Sequence, residues 1–216
     1  MALKKPFVTE RFIAYSGDTT TTRLSLVIQL VDEFTLQAPA GNVRITLQGA
    51  RRLQPIKNLS GFVCFTDLPD GPYTIVTEPD RVRADWYLPV VNQTVNLPLP
   101  NPKEPLKTIE LNPAPSYPFP GNESLIRGIV KTSTGFVEKA EVAANYTGES
   151  NPATNESRTD HNGEFVLFFK KSPNLNSNNK IKEMVLTIKK DGTTKSVTVA
   201  AFEEGTTANL NVIQFP

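Results

Sequence analysis

The reactive residue types are scarce in this chain of 216 residues: one cysteine, one histidine and one tryptophan. An intrachain disulfide needs two thiols, and Cys64 is alone. Cys64 and His161 are too few for a zinc site of cysteines and histidines, and a Ser-His-Asp triad could only be built on His161. Charge of one sign is also missing. Lys and Arg number 23 against 22 Asp and Glu, a net charge of +1, which argues against the basic excess of a nucleic-acid platform. No apolar run approaches the ~20 residues of a membrane span. Near the start, Glu10 and Arg11 interrupt any apolar run that could form a secretory signal. The expectation is therefore a cytoplasmic chain, with incorporation into a particle left open, and a lone thiol agrees with a reducing compartment. Five Asn-x-Ser/Thr triplets, at Asn58, Asn92, Asn122, Asn145 and Asn155, matter only on a secretory route and read as chance in a chain rich in Asn and Thr. Nothing in these counts calls for a cofactor, a metal or a reaction, so the expectation is a protein that is not an enzyme.

Proline, by contrast, is abundant and uneven. Eight of the 18 prolines fall between Pro98 and Pro120. Proline fixes φ and removes an amide donor, so the stretch Asn112 to Gly121 can neither continue a sheet nor form a helix. It predicts a semi-rigid extended linker at 114–120, between domains at 1–113 and 121–216. Tyr117 and Phe119 alternate with prolines there and are expected to pack on a neighbouring domain. Each domain is long enough for a modest core, and the charge is balanced in both: 12 basic against 11 acidic residues in 1–113, and 11 against 11 in 114–216.

Apolar residues recur with the period of strands. Val43, Ile45 and Leu47 alternate, as do the residues of Arg23 to Val31 at their start, and Phe62 to Phe65 and Tyr73 to Val76 flank a Pro-Asp-Gly-Pro turn. In the second half Leu125 to Val130, Ala140 to Ala144, Phe165 to Phe169, Met184 to Ile188 and Ser196 to Val199 read as strands, with turns at Thr134-Gly135, Asn162-Gly163 and Asp191-Gly192. Helical spacing is lacking throughout. Short strands with regular turn signals predict β-sandwiches. The halves also share an order of signals: a Val-containing strand, a polar excursion, a glycine with an aromatic close behind, then two further strands. A glycine at positive φ would open a hairpin in each half and turn the aromatic inward.

The second half, through Gly128-Ile129-Val130, Ala140-Glu141-Val142 and Thr159-Asp160-His161-Asn162-Gly163-Glu164-Phe165, resembles the carboxypeptidase regulatory-like domains, which are transthyretin-like β-sandwiches. The first half is similar to a more divergent member through Phe65 to Tyr73, although Ser60-Gly61-Phe62 lacks the preceding Thr-Asp. The resemblance implies two tandem Ig-like/transthyretin-like β-sandwich domains, all-β, with Gly61, Gly71, Gly128 and Gly163 as signature glycines of the turns. It implies no zinc ligands and no reaction. A looser resemblance, through Arg23 to Thr35, Tyr117 to Pro120 and Ile126-Arg127-Gly128, is to accessory proteins of contractile injection systems, the phage-tail-like particles.

The candidate interaction residues are Trp86, Tyr87, Arg51, Arg52, Tyr117 and Phe119. Aromatics beside arginine can form an interface anchor or a sugar-stacking platform; more often they are core or edge-packing residues. Arg51-Arg52 reads as a solvated step in a loop, Asn174 to Lys182 as a mobile polar loop, and Cys64 as a buried thiol. His161 sits at a hairpin tip. The alternation of Asp160, Asn162 and Glu164 is explained by turn chemistry as well as by a calcium ion. The terminal stretches Pro6 to Tyr15 and Ala208 to Pro216 could complete sheets or add strands to another subunit. The function expected is that of a non-catalytic structural or adaptor protein. Its partners would be protein subunits of a larger assembly, with homo-oligomerisation open and no nucleic acid or membrane span. The alternative is a carbohydrate-binding or adhesion module using Trp86 and Tyr87.

Overall fold

The computed structural model describes residues 10–15, 18–40, 43–48, 55–58, 60–79, 86–90, 93–149 and 156–216. Every helix or strand among them is a strand, and the chain divides into two compact units. The first comprises Met1–Ala84 and Pro89–Leu111, the second Asp85–Leu88 and Asn112–Pro216.

In the first unit the strands are β1 (Glu10–Tyr15), β2 (Asp18–Asp32), β3 (Val43–Gln48), β4 (Ile56–Lys57), β5 (Val63–Thr66), β6 (Gly71–Pro79), β7 (Gln93–Leu97) and β8 (Leu106–Leu111). One sheet runs β1-β2-β5-β4 with β8 also paired to β2, and the other runs β3-β6-β7. In the second unit they are β9 (Leu125–Lys131), β10 (Glu141–Tyr146), β11 (Ser157–Arg158), β12 (Glu164–Phe168), β13 (Lys180–Ile181), β14 (Met184–Lys190), β15 (Thr193–Val199), β16 (Phe202–Glu203) and β17 (Thr207–Gln214). Here the sheets are β11-β10-β14-β15 and β12-β9-β17, with β13 and β16 as a separate pair.

The expected repeat is present in the topology. In each unit the first long core strand, β2 or β9, pairs antiparallel with β5 or β12 and parallel with the last strand, β8 or β17. Strands β3-β6-β7 in the first unit and β10-β14-β15 in the second form the antiparallel partner sheets. The C-terminal stretch thus completes a sheet within its own chain.

Both hairpins entering β5 and β12 are closed by the same hydrogen bonds. Asn58 Oδ1 accepts from the amides of Ser60 and Phe62, at 3.0 and 2.9 Å, and Asp160 Oδ1 accepts from Asn162 and Glu164, at 2.8 and 2.9 Å. The amides of Asn58 and Asp160 donate to the carbonyls four residues on, and Gly61 and Gly163 donate back to them. These glycines hold φ of +82° and +70°, which a side chain disfavours. The missing Thr-Asp of the first half is therefore replaced by Asn58, whose amide oxygen does what the Asp160 carboxylate does. A third copy closes Asn176 to Lys180, with Asn179 at positive φ. The polar segment expected as a mobile loop is pinned by this turn and by the short strand β13.

Alternation fixes the cores. Leu26, Ile28 and Leu30 of β2, Ile45 and Leu47 of β3, and Val63 and Phe65 of β5 are buried inward. Tyr73 is buried too, and its hydroxyl donates to the Pro69 carbonyl at 2.8 Å, tying the Pro-Asp-Gly-Pro turn to β6. Cys64, expected to be buried, is half-buried: Val63 and Phe65 take the inward positions, so the thiol between them faces out, and partial burial raises its pKa. In the second unit Ile126, Val130, Phe165, Leu167, Leu186 and Ile188 centre the core.

Gly128, grouped above with the turn glycines, lies within strand β9 opposite Phe165. A Cβ there would stand 2.9 Å from the Phe165 ring. The corresponding pair in the first unit is Ile28 opposite Val63. The glycine makes room for a larger cross-strand neighbour, as an aromatic ring covering a strand glycine does.

Six described residues other than glycine have positive φ. Four are Asn or Asp and one is Lys139; the apolar one is Leu36, at φ 56°. A left-handed backbone costs a residue with a side chain roughly 1–2 kcal/mol.

Candidate functional site

β12 is buried on both of its faces. Phe165 and Leu167 point into the core, yet Val166 and Phe168, on the opposite face, are also only 1% and 3% exposed. Such a strand reads as an unbroken apolar run, Phe165 to Phe169, instead of an alternation. The proline-rich segment reaches this outer face at Phe168. Residues 114–120, expected as a linker, are grouped with the second unit, where Ala114 and Tyr117 are buried. Proline holds the segment extended without an internal ladder, and two short contacts, Tyr117 N to Ala114 O and Phe119 N to Tyr117 O, shape it.

The segment is stitched to Trp86–Leu88. Ala114 N donates to Trp86 O at 2.7 Å, Leu88 N donates to Asn112 O at 2.9 Å, and Tyr87 faces Pro113 in an antiparallel bridge. At its base Asn112 Nδ2 donates to the Glu156 carbonyl, and Ser157 Oγ lies 3.3 Å from Asn112 Oδ1.

The rings form a chain across this strap. Trp86 meets Tyr117 edge-on with centroids 6.4 Å apart, and Tyr87 meets Tyr117 in the same manner at 5.7 Å. Tyr117 contacts Phe119 at 4.7 Å, and Phe119 reaches Phe168 of β12 at 5.9 Å. Edge-to-face pairs at these spacings add about 0.5–1.5 kcal/mol each beyond burial. Arg127 of β9 stands 5.8 Å from the Phe119 centroid and donates from Nη1 to the Pro115 carbonyl at 2.6 Å. Partial burial pushes its pKa below the ordinary value while Glu164 pulls it back; the guanidinium stays charged at physiological pH.

The strap brings together four of the six candidate residues and gives them different exposures. Tyr87 and Tyr117 are buried, at 5% and 7%, and act as its foundation. Trp86 and Phe119 remain half-exposed at its surface. Tyr87 is therefore not part of an exposed platform. Arg51 and Arg52 lie outside the described residues. The sequence reading missed Arg127 and Phe168; the unbroken run Phe165 to Phe169 was the available signal for a covered outer face. His161 is exposed at its hairpin tip, where Asp160 Oδ1 serves the backbone amides. Among the described residues, no three of His, Cys, Asp and Glu are grouped so as to hold a metal ion.

No family model and no curated protein matches the chain. Solved structures similar to it include family 41 carbohydrate-binding modules of streptococcal virulence factors, described for alpha-glucan recognition, at 13% identity and TM-score 0.27, covering 88% of this chain and 93% of theirs. The minor pilin of Streptococcus agalactiae is similar at 10% identity and TM-score 0.29, covering 88% and 95%. A 9R-lipoxygenase from Cyanothece matches at 12% identity and TM-score 0.25; 44% of this chain is covered, and only 16% of that one. Likeness of this order does not bear on what the chain binds.

Proposed function

We propose that the chain is a non-catalytic binding protein that docks other protein subunits into a larger assembly through the aromatic strap of its second unit. The observation that carries this reading is the half-exposed pair Trp86 and Phe119, propped on buried Tyr117 and flanked by the Arg127 guanidinium. Trp, Tyr and Arg are the residue types that most often anchor protein interfaces, and rings already held in place lose little entropy on docking. The sandwiches supply rigidity. The assembly proposed is a phage-tail-like contractile particle, a choice that rests on the sequence resemblance alone, as does the assignment of both sandwiches to the carboxypeptidase regulatory-like family.

Trp86 is the chain's single tryptophan, so its emission reports on this site directly. Cross-linking in the producing cell, followed by reconstitution with each purified partner, should find a partner that shifts Trp86 emission. Trp86→Ala should weaken that partner by about tenfold or more, a typical anchor effect. A partner bound at full strength by Trp86→Ala, or failure to find any stoichiometric partner, defeats this reading.

A second reading is sugar binding on the half-exposed Trp86 face, with Phe119 in the place first assigned to Tyr87. An emission change with soluble glycans but with no protein would favour it.

A further inference from the structure

The first unit carries a feature that the aromatic strap does not explain. Leu36 has φ 56° and is 75% exposed. A left-handed leucine is unusual, and here no burial of its side chain offsets the backbone strain. The turn that forces it is tightly built. Asp32, only 1% exposed, accepts from the amides of Phe34 and Thr35 at 2.8 and 3.1 Å through Oδ1. Leu36 N donates to Asp32 O and Asp32 N donates to Gln37 O, both at 2.8 Å. The turn thus holds an isobutyl group out in solvent where glycine or asparagine would fit with less strain.

Two residues further on, Ala38 and Pro39 form one wall of a surface socket of about 70 Å³, whose apolar lining continues through Leu30, Val43, Phe62 and Val63. Knob and socket therefore share one edge of the first unit. A surface that carries both a knob and a socket can be self-complementary, which is what a two-fold interface requires.

We infer that this edge is a self-association surface, with Leu36 of one copy seated in the Leu30–Pro39–Phe62 socket of a second copy. It stands on the first unit alone and is independent of the docking proposed for the aromatic strap. Its contact is small, so the dimer is weak and forms at high micromolar concentration or above.

The test is sedimentation of the full chain over a concentration series up to about 1 mM, alongside Leu36→Gly and Leu36→Asn. Both variants tolerate positive φ, so folding is retained and circular dichroism checks it. The wild type should shift toward twice its mass, with association at least about tenfold weaker in both variants, as expected for loss of an apolar anchor. Melted at dilute concentration, the variants should be as stable as the wild type or a few degrees more so, because a strained side chain has been removed. A wild type that stays monomeric throughout overturns the inference. So do variants that associate as well as the wild type, or that melt several degrees lower, since the leucine would then be serving its own fold.

Discussion

Six strands of each unit correspond, β2, β3, β5, β6, β7 and β8 with β9, β10, β12, β14, β15 and β17, and the sharpest difference between the units lies in one of these matched pairs. Counting from Gly61 and Gly163, Val63 corresponds to Phe165, Cys64 to Val166, Phe65 to Leu167 and Thr66 to Phe168. The inward positions agree in kind. The outward ones do not: Cys64 and Thr66 are half-buried, whereas Val166 and Phe168 are fully buried. One sandwich leaves this outer face partly open; the other has covered it with its own proline-aromatic strap. A sandwich can thus keep its topology while a connecting segment turns a sheet's outer face into a second small core. The rim of that core is where the half-exposed rings stand.

The comparison breaks most visibly at Phe168. Phe168→Ala removes a ring that is 3% exposed and touches Phe119, and should destabilise the second unit by about 3–5 kcal/mol. Cys64→Ala, on the half-buried outer face of the matched strand β5, should stay within about 1 kcal/mol. Urea unfolding followed by circular dichroism measures both. If Phe168→Ala proved as mild as Cys64→Ala, the strap would not be a true cover.

The paired hairpin glycines come next. Nothing lies within 4 Å of a Cβ built on Gly61, so Gly61→Ala meets only the positive-φ penalty, about 1 kcal/mol. A Cβ on Gly163 would run into the Val130 carbonyl and also approach Phe136 and Val137. Gly163→Ala should therefore cost about 3 kcal/mol, the φ penalty plus overpacking. Thermal melts of the two single variants check it, and equal losses would show that the second hairpin can move away from β9.

These matched positions also show which parts of the fold were legible. Val43, Ile45 and Leu47 announce β3 because one face of a strand repeats every second residue. The turn at Pro69 to Pro72 is as plain, since proline and glycine act on their own backbone. The strap was not legible, because no local pattern pairs Trp86 with Ala114 or Phe119 with Phe168; only the finished sheet brings them together. Its prolines were read for what they prevent, a ladder, and a segment that forms none can cover a sheet as readily as link two domains. Tyr87 and Trp86 are adjacent in sequence yet differ in burial, Tyr87 being buried and Trp86 half-buried, because the bridge to Pro113 turns one inward. Gly128 looked like a turn residue since glycine is the same letter in a turn and beneath a phenylalanine ring. Leu36 gave no signal at all, as its backbone angle is imposed by Asp32 four residues earlier.

The smallest effect is the most exacting test of the repeat. Asn58 and Asp160 make the same two hydrogen bonds through the same atom, Oδ1, and both sit before a left-handed glycine. If the turns are one device written twice, the residues should be exchangeable. Asn58→Asp and Asp160→Asn should each change stability by less than about 0.5 kcal/mol, the ordinary range for a substitution that keeps its contacts. Asn58→Ala and Asp160→Ala remove both acceptor bonds and leave two amides to water, so each should lose about 1–2 kcal/mol. The Asp160 carboxylate gives its bonds an added ionic component that Asn58 lacks, so the second unit should lose slightly more on truncation. Matched melts of the four variants separate these terms. Should Asp160→Asn cost as much as Asp160→Ala, the carboxylate's charge would be indispensable at that tip. The two hairpins would then share a shape but not a chemistry.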